Sequence, residues 1–418
     1  MPTIEIRGNA SLSGKIQVNG SKNAALPILA ATILCDKECR LTNVPPIRDI
    51  FNMQILLESA GKKGQFQSNT YLCETAEEIF PFASYENTNR LRASFLVAGP
   101  LLAKKGYAEI AYPGGCQIGA RPVDLHLKGF QKLGASICTK NGYISLKANK
   151  LKGNKIYLDF PSVGATENLM MTATLAKGTT RIENAAAEPE IVDLAHFLNK
   201  MGAQIRGEGT DTITIEGVPS LSGGEYAIIP DRIEAGTYLL AAAGCGGKVT
   251  LEHVIGEHLN PVIEKLKEAG ISVSVTDSTV TVEGKSSYRA VDIKTMPHPG
   301  FPTDLQAPFC AFLSCAKGTS IITETIFENR FLHIAELKRL GARITTEGRT
   351  AIIEGVPHLN GAQVCASDLR ASAALIIAGL MADGTTLISD RGHLFRGYHN
   401  LIENLQALGA KIKVIPED

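Results

Sequence analysis

The stretch PVIEKLKEAGISVSVTDSTVTVEG, residues 261–284, carries the fold in miniature. Its first nine residues set Val262, Ile263 and Leu266 among charges, which predicts an amphipathic helix with one face to solvent. Ala269-Gly270 ends that helix, because Gly is the residue that caps a helix in the left-handed conformation. Residues 279–283 alternate strictly and predict a strand. The same step recurs at Ala60-Gly61, Gly134-Ala135, Gly202-Ala203, Gly341-Ala342 and Gly409-Ala410, its glycines 68 to 73 residues apart. A second marker runs in phase: Gly106, Gly178, Gly247, Gly318 and Gly384 each precede a β-rich run. A third is literal, since Leu-Arg-Ala-Ser at 91–94 returns at 369–372. Each repeat reads as a polar loop, an Ala-rich helix (24–33 or 371–381), a Gly cap, a strand, a charged helix facing solvent, and closing strands. That is a β-α-β-α-β-β unit used six times. Units of about 70 residues exceed ordinary solenoid periods of ~20–50 and read as compact subdomains, three to a domain.

Composition agrees with two domains. The chain has 418 residues, 44% of them hydrophobic, and 42 Lys+Arg balance 42 Asp+Glu. Such a chain is not disordered. With no basic excess and 6% aromatics it is not a nucleic-acid binder, RNA ends included. The first 20 residues lack an apolar signal core, and the apolar runs 26–35, 307–315 and 373–382 are too short to span a bilayer. Nine Cys without a Cys-x-x-Cys pair argue against a disulfide framework or zinc ribbon and for a reducing cytoplasm. No metal, nucleophile-elbow or phosphate-loop motif is present: Lys248 lacks the Ser/Thr that should follow it.

Two loop classes precede helices, where free N–H groups and the helix dipole favour anions. The first holds 21–23, 89–92, 162–168, 231–232, 303–304 and 368–370. The second holds 45–49, 113–124, 188–190, 328–330 and 390–396. Any one charge there serves equally well as a cap or surface ion pair. Lys22, Arg48, Arg92, Arg121, Arg330, Arg370 and Arg396 all fall in these two classes, and together they predict a site for small anions. Cys116 stands in YPGGCQIGARPVDLHLKGF, residues 112–130. Its glycines suit a loop that closes over a ligand, and the nearby Arg121 favours a reactive thiol. The other eight Cys lie in apolar contexts and read as core packing.

The motifs SKNAALP (21–27), PGGCQIGARPVDLHL (113–127), SVGATEN (162–168), FPTDLQA (301–307), TETIFENRF (323–331) and SDLRASAAL (367–375) together resemble the enolpyruvyl transferase family over essentially the whole chain. The resemblance implies an inside-out α/β barrel of two domains, each of three β-α-β-α-β-β repeats around a pseudo-threefold axis. The domains would be 21–229 and 1–20 plus 230–418, with the active site in the cleft between them. It implies transfer of the enolpyruvyl group of phosphoenolpyruvate to the 3′-hydroxyl of UDP-N-acetylglucosamine, by addition and elimination through a tetrahedral phosphoketal. This would be the first committed step of peptidoglycan synthesis. Cys116 would donate the proton to the methylene carbon, take up phosphoenolpyruvate covalently, and be alkylated by epoxide phosphonates of the fosfomycin type. Asp304 would be the base for the hydroxyl, and Lys22 and Arg396 would act with them. Lys22, Asn23, Arg121, Arg396, Arg92, Arg330 and Arg370 would hold phosphoenolpyruvate. Asn23, Arg92, Arg121, Pro122, Val123, Asp124, Leu125, Ser162, Val163, Gly164, Asp304 and Ile326 would hold the sugar nucleotide. No cofactor, metal, membrane or obligate protein partner is implied. The chain departs from the family at Phe395, where an acid usually precedes the Arg, at Arg391-Gly392, at Phe160-Pro161 and at Leu96. Two alternatives are 5-enolpyruvylshikimate-3-phosphate synthase, which lacks the Cys loop and RPVDLH, and a non-catalytic sugar-nucleotide-binding relative.

Overall fold

The computed structural model describes residues 3–112 and 123–415. Cys116, Arg121 and Pro122 lie outside the described residues. The chain divides into two compact units, one built from residues 3–19 and 230–415, the other from 20–112 and 123–229.

Among the described residues there are six four-stranded sheets, and all six are wired alike. In one, Lys155–Tyr157 runs parallel to Thr179–Glu183, which pairs antiparallel with Thr212–Glu216, which pairs antiparallel with Gln204–Arg206. A long helix crosses between the two parallel strands, the amphipathic helix leads to the edge strand, and a hairpin closes the sheet. This is the β-α-β-α-β-β order read from the repeats. The alternation sets the faces: Ile182, Ile213 and Ile215 are fully buried, with Thr180 beside them, while Thr179, Arg181, Thr214 and Glu216 take the other face. Three sheets are completed by remote strands. Gly224–Ala227 pairs with Cys39–Thr42 in one unit. In the other, Gly14–Gln17 joins Gly247–Glu252, and Thr3–Arg7 slots between Thr385–Ser389 and Lys411–Ile415.

The Ala-rich helices are apolar on all sides and therefore interior. Arg232–Cys245, Gln306–Leu313 and Leu369–Met381 pack against one another. In the other unit Lys22–Ala31, Ala98–Lys105 and Val163–Ala173 are buried in the same way. The first of these begins two residues before the expected start, because the Ser21 hydroxyl accepts from the Ala24 N–H and caps it. The six step glycines hold φ from +89° at Gly61 to +109° at Gly202. An L side chain is strained there, so the repeat is audible in the sequence as glycine.

Two expectations need correction. The charged helices do not all face water. Asn260–Glu268 buries only Val262, Ile263 and Leu266, but Pro189–Lys200 also buries Glu190 and Asp193. The Tyr226 hydroxyl donates to Asp193 at 2.6 Å, and the Tyr226 ring packs edge-on against Phe197, so the strand Gly224–Ala227 covers that face. Nor are the other eight Cys all packing residues. Cys35, Cys39, Cys73 and Cys310 are buried and Cys245 and Cys315 partly so, but Cys138 and Cys365 are exposed. Both stand on edge strands, Ser136–Lys140 and Gln363–Cys365, where apolar neighbours in sequence fall on the opposite face. No helix among the described residues is long and apolar enough to cross a membrane.

Candidate active site

Asp304 lies on the 3-10 turn Thr303–Leu305, which leads into the buried helix Gln306–Leu313. Its two carboxylate oxygens are divided between two guanidiniums. Arg330 Nη2 donates to Oδ1 and Arg370 Nη2 to Oδ2, both at 2.7 Å. The arginine side chains are 3% and 8% exposed, the carboxylate 24%. Arg370 also donates to the Tyr398 hydroxyl at 3.2 Å, and that oxygen lies 2.9 Å from the Thr237 hydroxyl. Arg330 stacks over Phe327, 5.1 Å from the ring centre. Burial opposes the charge on Arg370, but Asp304 more than offsets this and holds the guanidinium above its ordinary value. Asp368 caps the helix Leu369–Met381, accepting from the Arg370 and Ala371 N–H groups. Burial alone would raise the Asp368 carboxyl, but the Arg330 charge and these N–H bonds outweigh it.

A second buried carboxylate aims this cluster. Glu324 Oε1 accepts from the Thr295 hydroxyl at 2.9 Å and from the Ile326 and Phe327 N–H groups at 2.8 and 3.2 Å. Its Oε2 accepts from the Thr303 hydroxyl at 2.9 Å. One side chain therefore ties the loop of Ile326 to the turn of Asp304. Glu324→Ala is expected to destabilise the protein by roughly 2–4 kcal/mol, since several buried donors lose their acceptor, while Glu324→Gln keeps most of it. Urea unfolding of the two variants checks this. Asp390 works alike in the next repeat: it accepts from the His393 and Leu394 N–H groups and sets the 3-10 turn Leu394–Arg396. Phe395 in that turn is exposed.

In the other unit Lys22 opens its helix and its ammonium meets Asp49 Oδ2 at 3.3 Å. Asp49 lies in the first turn of Arg48–Ser59 and is 3% exposed. Asn23 follows in the same first turn as Lys22. Ser162 caps Val163–Ala173 through the Ala165 N–H. That helix is held beside Asp124–Lys132 by one polar knot. Asn168 Nδ2 lies 3.0 Å from His126 Nδ1 and also donates to the Phe95 carbonyl, while the Gly99 N–H donates to Asn168 Oδ1. A Cβ on Gly164 would stand 3.4 Å from the His126 ring, so the backbone of 162–164 passes close to the start of the neighbouring helix. Val123 is buried, Asp124 exposed and Leu125 half-buried. Leu96 is buried in the core, and Phe160 is exposed.

Burial pushes His126 down to about 4 and His333 likewise. An unfolded histidine takes a proton near 6.5, so each adds stability that is complete above pH 6.5 and lost as pH falls toward 4. The loss of urea stability caused by His126→Gln should therefore be smaller at pH 5 than at pH 7, because only the wild type has this contribution to lose.

The structure thus brings together Asp304, Arg330 and Arg370, joins Lys22 to Asp49, and sets His126, just after 123–125, beside Gly164. The side chain of Arg92, at the head of the turn Arg92–Val97, is outside the description, as are Cys116, Arg121 and Pro122. Among the described residues no group of His, Cys, Asp and Glu could hold a metal ion. The Asp49, Glu324, Tyr398 and His126–Asn168 contacts were not anticipated. For Glu324 and Asp390 a signal existed: each is the residue just after the second strand of its repeat. Chemically, paired buried guanidiniums on one shared carboxylate form a ready anion receiver, with an acceptor beside it for a hydroxyl proton.

Comparison with known proteins points the same way. Residues 6–405 match the family EPSP synthase (3-phosphoshikimate 1-carboxyvinyltransferase). The chain is 55% identical over 401 residues to UDP-N-acetylglucosamine 1-carboxyvinyltransferase 1 of Caldanaerobacter subterraneus subsp. tengcongensis, covering 96% of each. It is 52% identical to UDP-N-acetylglucosamine 1-carboxyvinyltransferase 2 of Carboxydothermus hydrogenoformans, covering all of both chains. Among solved structures, the enolpyruvyl transferase NikO from Streptomyces tendae superposes with a TM-score of 0.90 at 26% identity, over 99% of this chain and 98% of that one. EPSP synthase from Acinetobacter baumannii shares the fold, with a TM-score of 0.77 at 19% identity over both full chains.

Proposed function

Because the chain belongs to the EPSP synthase family, and within it to the UDP-N-acetylglucosamine 1-carboxyvinyltransferases, we propose that it transfers the enolpyruvyl group of phosphoenolpyruvate to the 3′-hydroxyl of UDP-N-acetylglucosamine and releases phosphate. The observation that carries this reading is the convergence of two buried guanidiniums on Asp304. The reaction asks for cations to hold phosphate and carboxylate, and for an acceptor at the attacking hydroxyl. When the anionic substrate engages Arg330 and Arg370, Asp304 is left beside the sugar hydroxyl as its base. Lys22 and Arg396, with Arg92 and Arg121, neutralise the phosphate as it becomes a leaving group. Cys116 protonates the methylene carbon as oxygen attacks C2, and the same carbon gives a proton back as phosphate departs. Asn23 and Ile326 hold the sugar, while 121–125 and 162–164 hold the uridine diphosphate. For each unit we also propose an inside-out arrangement about a pseudo-threefold axis, supported by three like-wired sheets and three interior helices apiece.

The test is phosphate release on mixing the protein with UDP-N-acetylglucosamine and phosphoenolpyruvate. Release that needs both is expected. Release only with shikimate 3-phosphate as acceptor would overturn the reading in favour of the synthase. Sugar-nucleotide binding without release would overturn it in favour of a non-catalytic relative.

A further inference from the structure

A cavity of about 930 Å³ opens within the 20–229 unit, between its second and third repeats. It lies where the helices Ala98–Lys105 and Val163–Ala173 end, so it is at the opposite pole of those helices from the loops of Arg92 and Ser162–Gly164. Lys105, Lys147, Lys150 and Lys177 line it, over a floor that includes Leu151 and Val218. Among the described residues no Asp, Glu or Arg lines it. None of these four ammonium groups makes an ion pair or side-chain hydrogen bond among the described residues, whereas the neighbouring Lys104 pairs with Asp36.

The repeats differ at this point. Lys147 ends the strand Tyr143–Lys147 and pairs in register with Tyr107. At or next to the corresponding strand ends stand Glu216, opposite Thr179, Glu283, opposite Lys248, and Glu354, opposite Thr319, while the other two repeats carry Cys73, opposite Cys39, and Arg7, opposite Thr385. Glu216 accepts from the Thr179 hydroxyl and Glu283 pairs with Lys248. Where three other repeats carry an acid, this junction carries Lys147, which adds to a cluster of like charge around the cavity. Four like charges around one hollow repel unless an anion joins them. Lysines grip phosphates as compact point charges, without the planar fork that selects a single carboxylate, and the volume suits a nucleotide-sized ligand.

We propose that this cavity is a second anion site, which takes a small polyphosphate-bearing molecule of nucleoside triphosphate size. The proposal is independent of the activity above. Calorimetry on the full chain, saturated with UDP-N-acetylglucosamine to fill the site already described, should show one equivalent of ATP bound, weakening as salt rises. Lys147→Glu, which installs the residue found in three other repeats, should weaken binding by about tenfold or more, as should Lys150→Glu. Neither change should alter basal phosphate release. Inorganic tripolyphosphate binding as tightly as ATP would place recognition in the phosphate chain, and weaker binding would give the apolar floor a share. No saturable binding, binding indifferent to both variants, or tighter binding of a hexaglutamate peptide would overturn the proposal.

Discussion

Asp304→Ala is expected to lower both stability and activity steeply, and the two losses have separate origins. The carboxylate neutralises two guanidiniums that are 3% and 8% exposed. Without it two buried cations face each other, and breaking a buried pair from one side costs about 3–5 kcal/mol. In a unit of this size each kcal/mol moves the melting temperature by about 2–4 °C, so a drop on the order of 10 °C should appear by calorimetry. Inorganic phosphate should restore part of it, because an anion that binds only the folded state between the two arginines stabilises by mass action. The phosphate-induced gain should be larger in the variant than in the wild type. Asp304→Asn, which keeps one acceptor oxygen, should fall between. Phosphate release should drop by about 10²–10⁴-fold in both variants, since neither keeps the proposed base. A variant that melts with the wild type and turns over normally would refute both the structural and the chemical role.

The contrast between Asp304 and Glu324 shows what a sequence can and cannot disclose. Repeats were readable because their cause is local: a glycine at φ near +90° cannot be replaced freely, so it marks the end of the second helix in each repeat. Wiring followed, since each unit repeats one order of elements. Candidate residues were readable as residue types in two loop classes. Their partners were not, because a partner is set by which repeat lies beside which. Arg370 and Asp304 are 66 residues apart, and nothing in either segment says that they touch. The same holds for His126 and Asn168, 42 residues apart. Cys138 and Cys365 misled for a related reason: an apolar neighbourhood in sequence says nothing about which face of an edge strand a side chain takes. Glu324 stood in a motif already singled out, yet its role needed the four donors around it to be seen.

Cys116→Ala should remove most of the turnover while leaving sugar-nucleotide binding intact, with phosphate release lower by about 10²–10⁴-fold. The reason is chemical. Attack of a hydroxyl on C2 of an enol phosphate makes progress only as the methylene carbon gains a proton. A thiol in a Gly-rich segment five residues before Arg121 is a donor whose conjugate base the nearby cation stabilises. A methyl group offers nothing in its place. The other cysteines furnish the control. Burial pushes Cys73 up to about 11 and Cys245 to about 12, so neither competes for electrophiles at neutral pH. Cys138 and Cys365 are exposed and should react with a neutral reagent such as iodoacetamide. An epoxide phosphonate is different, because its charge must be held while the ring opens. By peptide mass mapping it should label Cys116 alone, and UDP-N-acetylglucosamine should change the rate of labelling. Label on Cys138 or Cys365 would mean that exposure rather than an anion site decides the reaction. Undiminished turnover in Cys116→Ala would mean that another group delivers the proton.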